Sequence, residues 1–524
     1  MTARTTPNPL YHGGHEFRGI AVTPHVGAPR SKTRHMVITP TTSGRIDFGA
    51  HNNDLPNLLR ALNERVFNVE GKGKLEPTPQ PHRGAWKALD GVARRIANRV
   101  TTLGLEKLTC GEFLAQCPAN KRALYARAAE QYQARGWVSK DAKIKAFVKF
   151  EKLNFTKKVD PAPRVIQPRT PVYNYALGRY TRRVEHQLYG ALAEEWGDDG
   201  GNVVMKGLTV EEVASEMWNK WTTFRRPVAV SIDAKRFDQH VSRDALVWEH
   251  SVYKRVFKWD PELCSLLSQQ LHNKGFAFID GHKLTYSVDG TRASGDMNTS
   301  LGNCLIMCSL VREYVRSLGI RAKLVNNGDD CVLFIEQCDL PKLASLEDWF
   351  IKYGFEMTVD NVTSVFEQVE FCQMQPVLVG NKWVMVRQLD TALAKDAVCL
   401  GGRNERDFLQ WCYQVGTGGH ALYGDVPVFC ELYAFYRRIG VDSNLGSSLL
   451  MSDSGFMRLS KTPRVRGEVC SDDIDSGTRL SFYKAFGLVP SVQVRIEQFL
   501  RGHTVGGCRD CIVNTAPALG IALA

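Results

Sequence analysis

AKLVNNGDDCVLFIE, running from Ala322 to Glu336, sets two apolar runs, Leu324-Val325 and Cys331 to Ile335, on either side of Asn326-Asn327-Gly328-Asp329-Asp330. A glycine beside Asn and Asp favours a tight hairpin turn, which predicts a buried β-ribbon with two adjacent carboxylates at its tip. Adjacent carboxylates repel, so one is pushed toward protonation unless a cation lies between them. A hard divalent ion such as Mg²⁺, which takes oxygen ligands, would remove that conflict. A solvated turn can carry the same residues, so the rest of the chain must supply what metal ions would need.

The chain has 524 residues, 44% hydrophobic and 23% charged, the composition of a globular protein rather than a disordered one. That length suits about three or four domain-sized units or one large multi-lobed body. A net charge of +12 and a pI near 9.0 point to an anionic partner, either nucleic acid or an anionic membrane surface. The distribution favours nucleic acid. From Lys143 to Arg183 eleven Lys and Arg face only Glu151 and Asp160, interleaved with Phe147, Phe150, Phe155, Tyr173, Tyr175 and Tyr180. Basic residues with aromatics among them suit a phosphate-lined channel. No apolar run reaches the roughly 18 residues of a membrane span. The fourteen cysteines show no repeated paired spacing and no signal peptide precedes them, which predicts reduced thiols. Cys508-Arg509-Asp510-Cys511, near His503, is a single CxxC without the second pair of a zinc site.

Residues 1 to about 50 read as a loosely ordered arm packed on the body. Helical spacing covers Asn57 to Val66, Trp86 to Leu103 and Cys110 to Trp137; Arg94, Arg95 and Arg99 share one side, facing solvent or RNA. Pro161, Pro163, Pro168 and Pro171 predict an extended basic segment. Thr209-Val210-Glu211-Glu212 is a capping box opening a helix to about Trp221. Pro227 to Asp233 alternates at period two and predicts a strand ending at Asp233. Helices over Asp244 to Lys258 and Pro261 to Asn273 follow, then a hairpin from Phe276 to Val288 turning at Asp280-Gly281. The loop Ser294 to Asn298 enters a long helix from Thr299 to about Leu318. Leu346 to Tyr353 reads as a helix with Ser345 as its N-cap, and Val369 to Met374 with Val377 to Val386 as a ribbon turning at Gly380-Asn381. From about Lys395 onward the pattern is mostly helical.

Phosphoryl transfer to a ribose hydroxyl uses a metal-activated 3′ oxygen and a second metal on the triphosphate, held about 3.5 to 4 Å apart by carboxylates. Asp233 and the Asp329-Asp330 turn can supply these if their strands are neighbours. Asp238 lies five residues past Asp233, and Thr299 and Asn303 stand at i and i+4 on one helix face, a plausible sensor for a 2′-hydroxyl.

Asp233-x4-Asp238, Ser294-Gly295-x3-Thr299-x3-Asn303 and Gly328-Asp329-Asp330 resemble motifs A, B and C of viral RNA-dependent RNA polymerases, in the family's order. Lys149-Phe150-Glu151-Lys152 with Pro163-Arg164-Val165-Ile166 resembles motif F, and Phe371-Cys372-Gln373 the motif E hairpin. The wording of Ser294 to Thr299 and of Gly328 to Cys331 is closest to tombusvirus-like replicases of plant positive-strand RNA viruses, and the match covers roughly residues 143 to 390. The resemblance implies that Asp233 and Asp329 ligate Mg²⁺, with Mn²⁺ as a substitute, supported by Asp330. It implies that Asp238, Thr299 and Asn303 select ribonucleotides, that Ser294 and Gly295 form a loop moving the template, and that Lys149 and Arg164 hold the incoming triphosphate. Relatives carry a proton-donating lysine in motif D, whereas Gly354 to Asn361 offers none and Lys352 is only a nearby substitute.

The fold so implied is α+β, a right-hand polymerase with an antiparallel palm sheet and mostly helical fingers and thumb. Its expected divisions are an N-terminal extension with outer fingers over 1–135, basic fingers over 136–225, a palm over 226–395 with a fingers insertion at about 240–290, and a helical thumb over 396–524. The expected partners are RNA template and product, ribonucleoside triphosphates and a membrane-anchored viral auxiliary replication protein, at membrane-associated complexes in the host cytoplasm. Relatives are often made as readthrough or frameshift extensions of that shorter protein, so Met1 need not be the natural start. Asp238 argues against a reverse transcriptase, which would carry a bulky residue there, and intact acids at all three metal positions argue against a non-catalytic RNA-binding scaffold. The chain shows no Walker A, HExxH or GxSxG pattern.

Overall fold

The computed structural model describes residues 19–38, 48–71, 74–155, 158–198, 200–401, 405–442, 464, 465, 467 and 469–502. Its centre is a four-stranded antiparallel sheet in the order Ala322–Asn327, Asp330–Glu336, Pro227–Ala234, Met357–Thr363. The alternation read from Pro227 onward builds it. Val228, Val230 and Ile232 pack with Leu333, Ile335 and Leu305 on one side. Ala229 joins Val332, Phe334 and Val325 on the other. A sheet buried on both faces needs helices on both, and it has them. The helices Thr299–Ser317 and Arg243–Val256 line the first core, while Val210–Trp221 lines the second and sets the Trp221 ring 6.2 Å from Phe334. Each fully buried side chain of this size contributes about 1.5–3 kcal/mol. The sheet is therefore a rigid platform for whatever sits at its ends.

Between Ser231 and Ile232 the pairing with Met357–Thr363 slips by one residue. Such a bulge bends its strand and re-aims the side chain that follows, here Asp233.

A second four-stranded sheet runs in the order Ile20–Pro24, His282–Asp289, His272–Ile279, Ile144–Lys145. Its hairpin turns at Asp280 and Gly281, both at positive φ, +48° and +74°, as a two-residue turn with a right-handed ribbon requires. Beyond the hairpin Met374–Val379/Lys382–Arg387 the chain is mainly helical: Leu389–Asp396, Glu405–Tyr423, Phe429–Ile439, Ser476–Phe486 and Pro490–Gly502.

Several elements differ from the sequence reading. Pro171 does not extend the basic segment; it is the first residue of the 25-residue helix Pro171–Glu195, where its missing N–H costs nothing. The helix opened by Asp260 and Pro261 stops at Ser268, because Asn273 already belongs to the His272–Ile279 strand. Ser345 precedes its helix without a capping bond, its hydroxyl lying 3.2 Å from that of Tyr314. The ribbon turning at Gly380 is made by Met374–Val379 and Lys382–Arg387, so Val377 belongs to its first strand. The described parts of the N-terminal arm include three short strands: Ile20–Pro24 edges the second sheet, Met36–Ile38 pairs with Val398–Leu400, and Phe48–Gly49 with Leu153–Asn154. The Cys508–Cys511 pair and His503 lie outside the described residues. Twelve described cysteines are free thiols, and among the described residues no helix is long and apolar enough to cross a membrane.

Candidate active site

Three acids reach one end of the central sheet. Ile232 pairs with Cys331, so Asp233 stands level with Asp330 on the adjacent strand, and Asp329 occupies the turn with Gly328. The turn needs its glycine, whose φ is +89°. Asn326 staples it: its side-chain amide donates to the Gly328 carbonyl at 2.7 Å and its carbonyl oxygen accepts from the Gly328 N–H at 3.1 Å. Asn327 donates to the Cys372 sulfur at 3.1 Å, tying the turn to the Phe371-Cys372-Gln373 segment.

The acids repel one another. Burial raises the pKa of Asp233, and the carboxylates of Asp360 and Asp329 raise it further. Desolvation and the neighbouring Asp329 push Asp330 up to about 6, with Asp233 adding to the shift and a hydrogen bond from Cys372 opposing it. Asp360, on the Met357–Thr363 strand, is a fourth acid that sequence reading passed over. Among the described residues none of these four carboxylates is in an ion pair. Nor are they drawn into a ready cluster: among the described residues, no three His, Cys, Asp or Glu side chains are grouped closely enough to hold a metal ion. The three acids named from the sequence nonetheless share one sheet end, where Asp233 and Asp330 each feel the charge of Asp329. The donor set is nevertheless oxygen-only and lacks a paired cation, which suits a hard divalent ion.

Asp238 lies just beyond the strand in the short helix Phe237–His240. Asn303 donates to its carboxylate at 2.8 Å, and Arg292 donates to the Asn303 carbonyl oxygen at 3.0 Å. Burial raises the Asp238 pKa, while Asn303 and Arg292 oppose the rise. Arg292 also pairs with Glu249 at 2.6 Å, both side chains almost wholly buried. Glu249 accepts in addition from Tyr253 and Asn298, each at 2.8 Å. Gly302 makes this possible, because a Cβ there would lie 2.3 Å from Glu249 Oε1 and 2.6 Å from Arg292 Nη2. Thr299 sits one turn before Asn303, its hydroxyl donating to the Ala293 carbonyl at 2.9 Å. Asn303 therefore fixes the Asp238 carboxylate, and Asn303 is itself held by Arg292, backed by Glu249 and Gly302, which sequence reading missed; the Thr299 hydroxyl is turned instead to Ala293. Gly302, a small residue directly before Asn303, was the available signal.

Cations gather on the same side. Lys149 and Arg164 are joined backbone to backbone at 2.8 Å and share Glu151, at 3.0 and 3.2 Å. More than half of the Arg164 side chain is exposed. Arg65 joins them: burial, then Arg236 and Arg164, lower its pKa to about 10, and its Nε is buried without a hydrogen-bond partner. The positive charge of Arg164 is felt at Asp238. Ser294 donates to the Val165 carbonyl at 3.1 Å, and a Cβ on Gly295 would lie 2.6 Å from Pro168 Cα, so this loop packs directly on the basic segment. At the other edge of the sheet, Val203 to Met205 pairs beside Asn326 and sets the Lys206 ammonium next to Gly328, 3.9 Å from where a Cβ would be.

Other expected contacts have different partners. Phe155, Tyr173, Tyr175 and Tyr180 are buried core residues, leaving Phe147 as the exposed ring of the basic segment and Phe150 beneath Arg34 at 4.9 Å. Arg95 and Arg99 clamp Glu195, at 2.6 and 2.8 Å, and hold two helices together. Lys352 is exposed at a helix end, its carbonyl accepting from the His82 N–H at 2.8 Å.

Residues 22–506 match the family model described as viral RNA dependent RNA polymerase. The chain is 41% identical over 481 residues to an RNA-directed RNA polymerase of Melon necrotic spot virus, covering 90% of this chain and 59% of the relative. It is 42% identical over 463 residues to that of Turnip crinkle virus, covering 87% and 58%. It is also 42% identical over 480 residues to that of Pothos latent virus (isolate Pigeonpea/India), covering 91% and 63%. The chain thus spans about three fifths of the length of these relatives. With a family model matched over nearly its whole length, the chain belongs to the viral RNA-dependent RNA polymerase family.

Proposed function

We propose that this chain extends RNA on an RNA template for a plant positive-strand RNA virus. The reaction joins the 3′-hydroxyl of the growing strand to the α-phosphate of a ribonucleoside triphosphate; the bond to the β-phosphate breaks and pyrophosphate leaves. The observation that carries this reading is the alignment at one sheet end of mutually repelling Asp233, Asp329 and Asp330, flanked by the Asp238–Asn303 pair and by Lys149 and Arg164.

Asp233 and Asp329, supported by Asp330, would hold divalent ions, with Mg²⁺ the ion of choice and Mn²⁺ a substitute. Such ions acidify the attacking hydroxyl and stabilise charge on the leaving phosphates. Arg164 and Lys149 bind the triphosphate, where charge-assisted hydrogen bonds offset its negative charge. Asp238, with Asn303 and Thr299, accepts from or donates to the 2′-hydroxyl and so favours ribonucleotides. Ser294 and Gly295, packed on the basic segment, form the loop that shifts with the template.

In this reading residues 1–135 are N-terminal extension and outer fingers, 136–225 basic fingers, 226–395 palm and 396–524 thumb. A right hand of this kind leaves membrane attachment to a partner, which we take to be a membrane-anchored viral replication protein in the host cytoplasm. The reading is tested by template-dependent incorporation of labelled ribonucleotide with and without Mg²⁺. Product whose sequence copies the template, formed only with the ion, is the expected result; RNA binding without incorporation would return the chain to the class of RNA-binding scaffolds.

A further inference from the structure

The outer face of the second sheet is chemically unlike the outside of an ordinary sheet. Phe276 and Phe278 project from it two residues apart, with ring centroids 5.7 Å from each other, and Phe278 is 37% exposed. Register places Lys145 beside Phe276 and Lys283 beside Phe278, while Lys274 precedes both rings on the same face. These three lysines are exposed, and among the described residues none has an ion-pair partner. The nearby acids are already engaged. Asp141 is held by Arg135 at 2.8 Å, Asp289 by His272 at 2.6 Å, and Asp280 accepts the backbone N–H groups of Ser31 and Leu55 at 2.7 and 2.9 Å.

The face is not flat. Lys140, Lys143, Lys145, Phe276, Pro168 and Thr170 are among the residues lining a groove of about 640 Å³. Pro168 is also the residue against which Gly295 packs. The groove is thus separated from the Ser294–Gly295 loop by the thickness of one chain segment.

We propose that this groove and the aromatic face beside it form a binding site for single-stranded RNA, separate from the Lys149–Arg164 cluster. Lysines without acids neutralise backbone phosphates, and two outward rings, Phe278 exposed beside His25 at 4.7 Å and Phe276 half-buried, offer stacking platforms to unpaired bases of any identity. A duplex would hide its base faces, and a membrane surface would need rings that protrude rather than one, Phe276, half sunk in a groove wall. The proposal rests on the polymerase reading only in naming RNA as the nucleic acid, and it deepens that reading by giving the strand a hold outside the carboxylate end of the central sheet.

The test uses the full chain carrying Asp329→Asn, so that nothing is polymerised, and a fluorescent 12-nucleotide RNA without secondary structure. Phe276→Ala with Phe278→Ala should raise the Kd about thirtyfold or more, as expected from two rings at roughly 1–3 kcal/mol of stacking per base. Lys145→Ala with Lys274→Ala, at exposed positions that the fold does not need, should weaken binding and lower the salt slope by about one to two. Thermal melting checks that each variant folds. Unchanged Kd and salt slope in the lysine variant would overturn the proposal, as would unchanged RNA affinity accompanied by lost binding to phosphatidylserine-containing vesicles. Nucleotide incorporation by the unmodified chain, measured separately, tests the polymerase reading alone, since RNA binding here requires no turnover.

Discussion

Arg292 and Glu249 form a 2.6 Å ion pair with almost no solvent access, forty-three residues apart in sequence, directly behind the Asn303 side chain that holds Asp238. The pair is the buried end of a chain of contacts that runs through Asn303 to Asp238. Its geometry decides where the Asp238 carboxylate points, so chemistry proposed for Asp238 depends on residues that never meet a nucleotide.

Removing one partner leaves the other buried and uncompensated, which costs about 3–5 kcal/mol. Arg292→Leu should therefore lower the urea midpoint sharply, and Gly302→Ala, which forces a methyl group against both partners, should cost about 1–3 kcal/mol. Equilibrium unfolding monitored by tryptophan fluorescence checks both. A Gly302→Ala variant as stable as the parent would show that the close approach is not obligatory.

Sugar discrimination provides the functional counterpart. Asp238→Ala removes the acceptor held by Asn303, and the ratio of kcat/KM for rNTP over dNTP should fall by about tenfold or more, the scale of one lost hydrogen bond to a charged group. Steady-state incorporation with matched nucleotide pairs measures it, and an unchanged ratio would remove Asp238 from sugar selection.

Arg164→Ala should raise the KM for nucleotide with a smaller effect on RNA affinity, because Arg164 projects into solvent beside Lys149 while the RNA groove lies elsewhere. Titration of one nucleotide at saturating RNA reads this directly. Equal losses in KM and RNA Kd would instead mark Arg164 as a general RNA contact.

The acids also predict a pH signature. Because Asp330 has a folded-state pKa of about 6, above that of a free carboxyl, the folded chain holds this proton more tightly than the unfolded chain. Its contribution to stability is present below about pH 4 and is lost as pH rises through about 6. In chelator, Asp330→Asn should raise Tm at pH 7.5 and leave it nearly unchanged near pH 4. Mg²⁺ should raise the Tm of the unmodified chain at pH 7.5 by binding the native state, with the gain fading below about pH 6 as protons compete. A Tm indifferent to Mg²⁺ at both pH values would deny these carboxylates an ion.

Much of this architecture was legible in local sequence. The Gly328 turn, the Pro227–Ala234 strand and the Thr209 capping box are encoded within a few residues each, and all three occur where periodicity and turn chemistry place them. Pro171 misled because proline fits both an extended segment and the first turn of a helix, and only the buried stripe through Tyr173, Tyr180 and Leu188 decides between them. Those tyrosines likewise read as RNA contacts until the helix turned them inward. The placement of Asp233 beside Asp330 depends on strand order, which a resemblance can supply but spacing cannot. Glu249, Arg292 and Asp360 were invisible for the same reason: each acts on the site only through a partner distant in sequence.

The account stands most directly on Asp329, the exposed acid at the tip of the turn. Asp329→Asn should abolish template-directed nucleotide addition in Mg²⁺ while leaving the Kd for RNA within about twofold of the parent, since a neutral isostere removes a metal ligand but no phosphate contact. Turnover retained near the parent rate would contradict the assignment of this sheet end as the site of chemistry.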